Sequence, residues 1–360
     1  MYRSQSQADV EISPNGPQTR GATVKVLSAW REGNPVFEAD LTTLGLEALG
    51  CVMARRAGHA PSAALAHGYM EALANNVPLR RTLAEAASAL RVEGVAAIAY
   101  KGQDYLARIY GDLGARSMAD VDLLVREEDL GRAERALIAA GFIADLDCKL
   151  IHERKFCKDG VAIDLHHALL QPARMRIDHE ELFARATPSA LGYGLLALEA
   201  TDALLVHCVN QTVKGYSLPA SSYLELQVLL DRADAGEALR RAARYGMQSA
   251  LFTSLAALGE LGHAQAKVLA RRVALPARRK LALRSIALRF ALGAIARETP
   301  RRSTMLALKV TLIDSPLAAL RFVPEWAMWQ LPFKAPRALA FDSAIRERAS
   351  ELARPRATRN

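Results

Sequence analysis

The chain reads as an α+β protein: a small mixed β-sheet core flanked by helices, followed by a largely α-helical C-terminal region. Three observations predict this. Between residues 95 and 166, four short apolar runs bounded by turn or charge signals have the length and alternation of strands. On either side, apolar residues recur at three- and four-residue spacing, the period of a helix buried along one face. Ala, Leu and Arg dominate the 360 residues while aromatics supply only 6%, a balance that favours helices outside the sheet.

The elements follow in order. Residues 1–20 are polar, carry Pro14, Gly16 and Pro17, and are expected to be a disordered N-terminus rather than a signal peptide. Residues 21–94 form an N-terminal helical segment, with stripes such as Leu41, Leu44, Leu46, Leu49 and Leu79, Leu83, Ala87, Leu90 that pack against the sheet. The core spans 95–186. Its first strand, from Val95, ends at Lys101-Gly102 before a helical pattern of Tyr105, Leu106, Ile109 and Tyr110. The second strand is Val121 to Val125, and a helix over 130–140 then closes at Gly141, a C-cap signal. Strands over 151–157 and 160–166 are joined by Lys158-Asp-Gly160, a hairpin signature. Residues 187–265 read as a helical domain on the acceptor side, with the stripe Leu204, Leu205, Cys208, Val209 and His207 beside it as a buried histidine. A basic helical region, 266–360, completes the chain.

Asp120 and Asp122 carry the chemistry. Residues i and i+2 of a strand share a face, so Val121 and Leu123 point inward and the two carboxylates share one edge. Held that close they repel unless a cation lies between them, and hard divalent ions such as Mg²⁺ take one or two carboxylates together with substrate phosphates. The alternative for a bare D-x-D is a solvated turn, and the apolar strand that follows argues against it. Asp164 is a lone acid inside an apolar strand, and the cation at Asp120 and Asp122 is its natural partner. Lys101 and Arg116 are candidates for neutralising phosphate charge. His152 and His166 fall on neighbouring strands, each as a site residue or a structural histidine.

The order Lys101-Gly102, Tyr110-Gly-Asp112, Arg116-x-Met118-x-Asp-x-Asp-Leu-Leu-Val125 and Ile163-Asp-Leu-His166 resembles the uncharacterised nucleotidyltransferase proteins of the DNA polymerase β superfamily. The resemblance covers roughly residues 80 to 260, with its specific motifs between 100 and 167. It implies that Asp120, Asp122 and Asp164 bind Mg²⁺ (or Mn²⁺) and catalyse transfer, and that Lys101, Gly102, Arg116 and His166 surround the nucleotide. It further implies a two-metal transfer of an NMP, AMP foremost, from an NTP to a small-molecule, peptide or protein acceptor. The chain departs from the superfamily at the turn, where Gln103 follows Gly102 in place of the usual serine. The alternative is a catalytically silent nucleotide- or RNA-binding protein of the same fold, yet such a copy has no reason to keep three repelling acids.

Charge and cysteines bound the rest. Residues 267–360 hold twenty Lys or Arg against six Asp or Glu, a net of +14, so with +9 overall residues 1–266 carry −5. Such a tail suits RNA or an anionic membrane surface, or is simply an arginine-rich solvated face. The segment 281–296 mixes Leu, Ile and Phe with arginine as an interfacial helix does, and Phe322, Trp326 and Trp329 add interfacial aromatics. Nothing resembles polymerase fingers, and no DNA primer is expected. The cysteines Cys51, Cys148, Cys157 and Cys208 lack any C-x-x-C pairing and read as reduced thiols of a cytoplasmic protein.

Overall fold

A computed structural model of the chain describes residues 16–34, 36–145, 152–169, 175–214, 219–288 and 302–329. Four helices precede the sheet: α1 (Gly16–Glu32), α2 (Glu38–Thr43), α3 (Glu47–Arg56) and α4 (Ala63–Val92). Helix α1 begins inside the segment expected to be disordered, and residues 1–15 lie outside the described ones. The Ser62 side chain caps α4 by accepting from the Leu65 amide, which satisfies one of the donors left over at a helix start. The stripe Leu79, Leu83, Ala87 and Leu90 is buried, and α4 packs against α3 and the sheet.

Strand β1 (Ala97–Ala99) leads through Lys101 into the short helix α5 (Gly102–Tyr105), which runs on as a π-turn to Tyr110. Gly111 ends that turn at φ 61°, a left-handed conformation open to glycine at little cost. Next come β2 (Val121–Val125), α6 (Leu130–Ala139), which closes at Gly141 with φ 87°, and β3 (Ile143–Asp145). Strands β4 (Glu153–Lys158) and β5 (Val161–His166) form a hairpin whose two turn residues, Asp159 and Gly160, both have positive φ, as a type I′ turn requires. Helix α7 (His179–Arg185) and the two-residue strands β6 (Thr187–Pro188) and β7 (Leu196–Ala197) follow. These last two strands lie in the stretch expected to be helical.

The seven strands make one mixed sheet in the order β3-β4-β5-β2-β1-β7-β6. Its centre is the parallel pair β2–β5, flanked by the antiparallel pairs β4–β5 and β1–β2. Beyond it the chain is helical: α8 (Ala200–Val213), α9 (Ala220–Arg232), α10 (Ala235–Tyr245), α11 (Gln248–Glu260), α12 (Ala264–Arg272), α13 (Ala277–Ile286), α14 (Arg302–Thr311) and α15 (Pro316–Trp329). The leucine stripes of α8 and α9 are buried in the core, and α1 packs against α9.

Part of the basic C-terminal charge is used internally. Arg279 donates to Ser249 Oγ and the Ile313 carbonyl, Lys280 to the Arg271 carbonyl, and Arg284 pairs with Glu260. Residues 289–296 of the proposed interfacial helix and residues 330–360 lie outside the described residues, as does Cys148. Cys51, Cys157 and Cys208 are buried. Among the described residues, no helix is long and apolar enough to cross a membrane.

Candidate active site

The β2–β5 register sets Asp122 directly beside Asp164, and Leu124 beside His166. The hairpin then sets Lys155 opposite Asp164 and Glu153 opposite His166. Side chains at one end of three adjacent strands therefore converge. Lys155 Nζ lies 2.9 and 3.0 Å from the two Asp164 oxygens and 3.4 Å from Glu153. Lys101 Nζ donates to Asp122 Oδ1 at 3.1 Å, and His166 Nε2 reaches the same oxygen at 3.1 Å. Tyr100 stands edge-on to His166 with ring centroids 5.3 Å apart, and the Lys101 ammonium sits 4.5 Å over its ring.

Lys101 owes this position to its backbone. Its φ of 57° and ψ of −145° form a sparsely populated conformation for a residue with a Cβ, costing on the order of 1–3 kcal/mol. The strained residue of the turn is thus the lysine rather than the adjoining glycine. A Cβ on Gly102 would meet the Met118 sulfur at 3.7 Å and the Asp120 carbonyl at 3.8 Å, both ordinary contacts. Packing alone does not require glycine there, and the bare Cα keeps the space beside Asp120 open.

Electrostatics separate the two acids of the pair. Burial, with the charges of Asp122 and Asp164 adding to it, pushes the Asp120 carboxyl up to about 7. Burial would also raise Asp122, but Lys101 and the His166 hydrogen bond outweigh it and hold that carboxyl well below the usual range. Asp164 is raised, chiefly by burial and against the pull of Lys155. Burial opposes the lowering of Glu153, but Lys155 and the two histidines prevail. Burial and the surrounding acids keep the Tyr100 phenol protonated, and its buried hydroxyl has no hydrogen-bond partner. Burial, with His166 adding to it, also drives His152 down to about 3, so its ring is neutral.

The loop that delivers Asp120 is fastened from two helices. Asn76 of α4, fully buried, donates to the Leu113 and Arg116 carbonyls at 2.7 and 2.6 Å and accepts from the Met118 amide at 3.0 Å. Asn75 donates to Ser117 Oγ at 3.0 Å and to the Met118 carbonyl. From α9, Glu225 pairs with the Arg116 guanidinium and accepts from the Tyr110 hydroxyl at 3.0 Å.

Of the residues expected at the site, Lys101, Asp122, Asp164 and His166 are in mutual contact or in adjacent register. Gly102 and Asp120 lie beside them, while the Arg116 guanidinium is engaged by Glu225. Glu153, Lys155, Tyr100 and Asn76 were not anticipated. The hairpin held the means to find two of them. With Lys158 opposite Val161 across a two-residue turn, counting back along the ladder sets Lys155 opposite Asp164 and Glu153 opposite His166.

Two groups of donor atoms that could hold a metal occur among the described residues: Asp122, Asp164 and His166, and separately His152, Glu153 and His166, each within 4.8 Å. Among the described residues, Asp122, Asp164 and Glu153 contact the ammoniums of Lys101 and Lys155, and Asp120 stands near enough to feel the charges of Asp122 and Asp164. This excess of hard oxygen donors, with an orphaned phenol beside it, fits Mg²⁺ or Mn²⁺.

Residues 48–262 match the family model described as Uncharacterised nucleotidyltransferase, and the chain belongs to that family. It is accordingly a nucleotidyltransferase, an enzyme that takes an NTP as substrate. Neither the curated proteins nor the solved structures supply a match.

Proposed function

We propose that this nucleotidyltransferase moves an NMP, AMP foremost, from an NTP to a hydroxyl or similar nucleophile of a small-molecule, peptide or protein acceptor in the cytoplasm. The observation that carries the reading is the side-by-side register of Asp122 and Asp164, with Asp120 at the rim of the same cluster. Asp120, Asp122 and Asp164 would hold two Mg²⁺ or Mn²⁺ ions. When bound, such ions supply Lewis-acid stabilisation of phosphoryl charge and lower the pKa of an attacking hydroxyl.

The chain's own residues do the rest. The acceptor oxygen attacks the α-phosphorus, a new P–O bond forms, the α–β bridging bond breaks, and pyrophosphate leaves. Asp164, raised by burial, receives the acceptor's proton as general base. Lys101 meets phosphate oxygens with its ammonium, and the bare Cα of Gly102 gives the nucleotide room beside it. His166 orients Asp122 through its 3.1 Å hydrogen bond. Arg116 acts from outside the contact shell by fixing the 111–119 loop through Glu225. The buried free thiols of Cys51 and Cys208 are consistent with a reducing compartment.

The test is transfer of label. Wild type and an Asp120→Ala/Asp122→Ala double variant are incubated with each α-³²P-labelled NTP, Mg²⁺ or Mn²⁺, and a lysate of the source cell. The reading predicts label on a discrete acceptor with wild type only and a drop of roughly a thousandfold in the variant. Equal labelling by both proteins, or none with any nucleotide, would refute it.

A further inference from the structure

We propose that His152, Glu153 and His166 form a second cation site, selective for a borderline transition ion of the Zn²⁺ type. It lies two residues along the β4–β5 ladder from the Lys155–Asp164 pair. This goes beyond the transfer reaction and does not depend on it.

The donors are specific. His166 Nε2 is engaged by Asp122 Oδ1 at 3.1 Å, so Nδ1 is the ring nitrogen left to face Glu153. Nδ1 is buried and has no hydrogen-bond partner. It faces Glu153 Oε2 at 3.7 Å, and the same oxygen lies 3.7 Å from His152 Nε2. Glu153 Oε1 is turned toward Lys155 at 3.4 Å, which leaves Oε2 for the histidines. The imidazoles lie 5.7 Å apart between centroids, tilted by 39°. Two ring nitrogens thus face one carboxylate oxygen, and the three donors lie within 4.8 Å of one another, a spacing that one cation can bridge.

Chemistry selects the ion. Two nitrogens and one oxygen match the three-ligand sets of zinc sites with an open position, whereas Mg²⁺ favours oxygen alone. In a tetrahedral zinc site, bond lengths near 2.0–2.1 Å set neighbouring donors about 3.3 Å apart. Both gaps of 3.7 Å need close by only a few tenths of an ångström. Asp122 accepting from the far nitrogen of His166 completes the carboxylate–histidine–metal arrangement that fixes ring orientation in metal sites. An ion held here would therefore also fix Asp122, linking this site to the acid cluster through a single imidazole.

The experiment uses the full chain, stripped by chelator and titrated with Co²⁺ and then Zn²⁺ without nucleotide. Expected are the visible absorption of low-coordinate, imidazole-ligated Co²⁺ and its displacement by Zn²⁺. Glu153→Gln and His152→Ala should each weaken Zn²⁺ binding by roughly tenfold or more, while His67→Ala, at an exposed histidine of α4, leaves it unchanged. Circular dichroism melts check each variant, and the near-isosteric Glu153→Gln decides the matter if His152→Ala does not fold. Unchanged Zn²⁺ affinity in folded Glu153→Gln, or an adventitious ion only, lost equally in His67→Ala, overturns the site. Because no nucleotide is present, failure of the transfer reaction cannot produce either result.

Discussion

The helical region around α8 and α9 and the sheet end at β2 and β5 both bury charge, yet they do so differently. Glu225 of α9 is 2% exposed and meets Arg116 and the Tyr110 hydroxyl. Asp202 of α8, 1% exposed, is held by Arg185 and Arg241 at 2.8 Å each. His207 bridges the Tyr105 hydroxyl at 3.2 Å and the Ser222 carbonyl at 2.9 Å. Each of these groups has an opposite or complementary partner. At the sheet end, acids outnumber the ammoniums that contact them, and Asp120 and Asp164 are pushed up. Balanced burial serves the fold, whereas an excess of one sign stores repulsion that an added cation or nucleotide complex relieves.

The largest expected effect falls on the balanced side. Glu225→Ala leaves the Arg116 guanidinium and the Tyr110 hydroxyl without their acceptor. Breaking a buried pair in this way costs about 3–5 kcal/mol. Chemical denaturation should register that loss. A variant as stable as wild type would make the α9 anchor of the 111–119 loop dispensable and remove the contrast between the two regions.

On the crowded side, removing a charge should stabilise the metal-free protein. The Asp120 carboxyl is raised from 3.8 to about 7, so it binds its proton more tightly folded than unfolded. Its contribution is then full below about 3.8 and declines as pH rises through about 7. Asp122 is shifted the other way, and its contribution disappears only as pH falls below the normal carboxylate range. Between pH 5 and 8, in chelator, wild type should therefore lose stability, by a few kcal/mol at most. Asp120→Asn should flatten that slope and melt higher at pH 8. Identical slopes for the two proteins would remove Asp120 from the repelling cluster.

What was legible in the sequence follows the range of the interactions. The strand at Val121–Val125, the turn at Asp159-Gly160 and the cap at Gly141 rest on neighbours within a few residues, and each was readable. The adjacency of Asp122 and Asp164 followed from treating both as acids on core strands. Lys155 and Glu153 were readable in principle from the hairpin register, which sets them opposite Asp164 and His166. The Arg116–Glu225 pair spans 109 residues and joins a loop to a helix of the other region, which no local pattern encodes. Strands β6 and β7 are two residues each, too short to show any period. They are fixed by the pairing of β7 with β1 and of β6 with β7 rather than by their own sequence. The left-handed Lys101 was equally hidden, since the glycine beside it is where such a conformation is ordinarily sought.

The measurement that tests the contrast most directly is Mn²⁺ binding by the metal-free full chain, followed through the paramagnetic resonance of free Mn²⁺. Wild type is compared with an Asp122→Asn/Asp164→Asn double variant. If the crowded sheet end is a divalent-cation site, wild type binds and the double variant loses at least about tenfold in affinity while folding normally. Mn²⁺ bound as tightly by the folded double variant as by wild type would contradict the account.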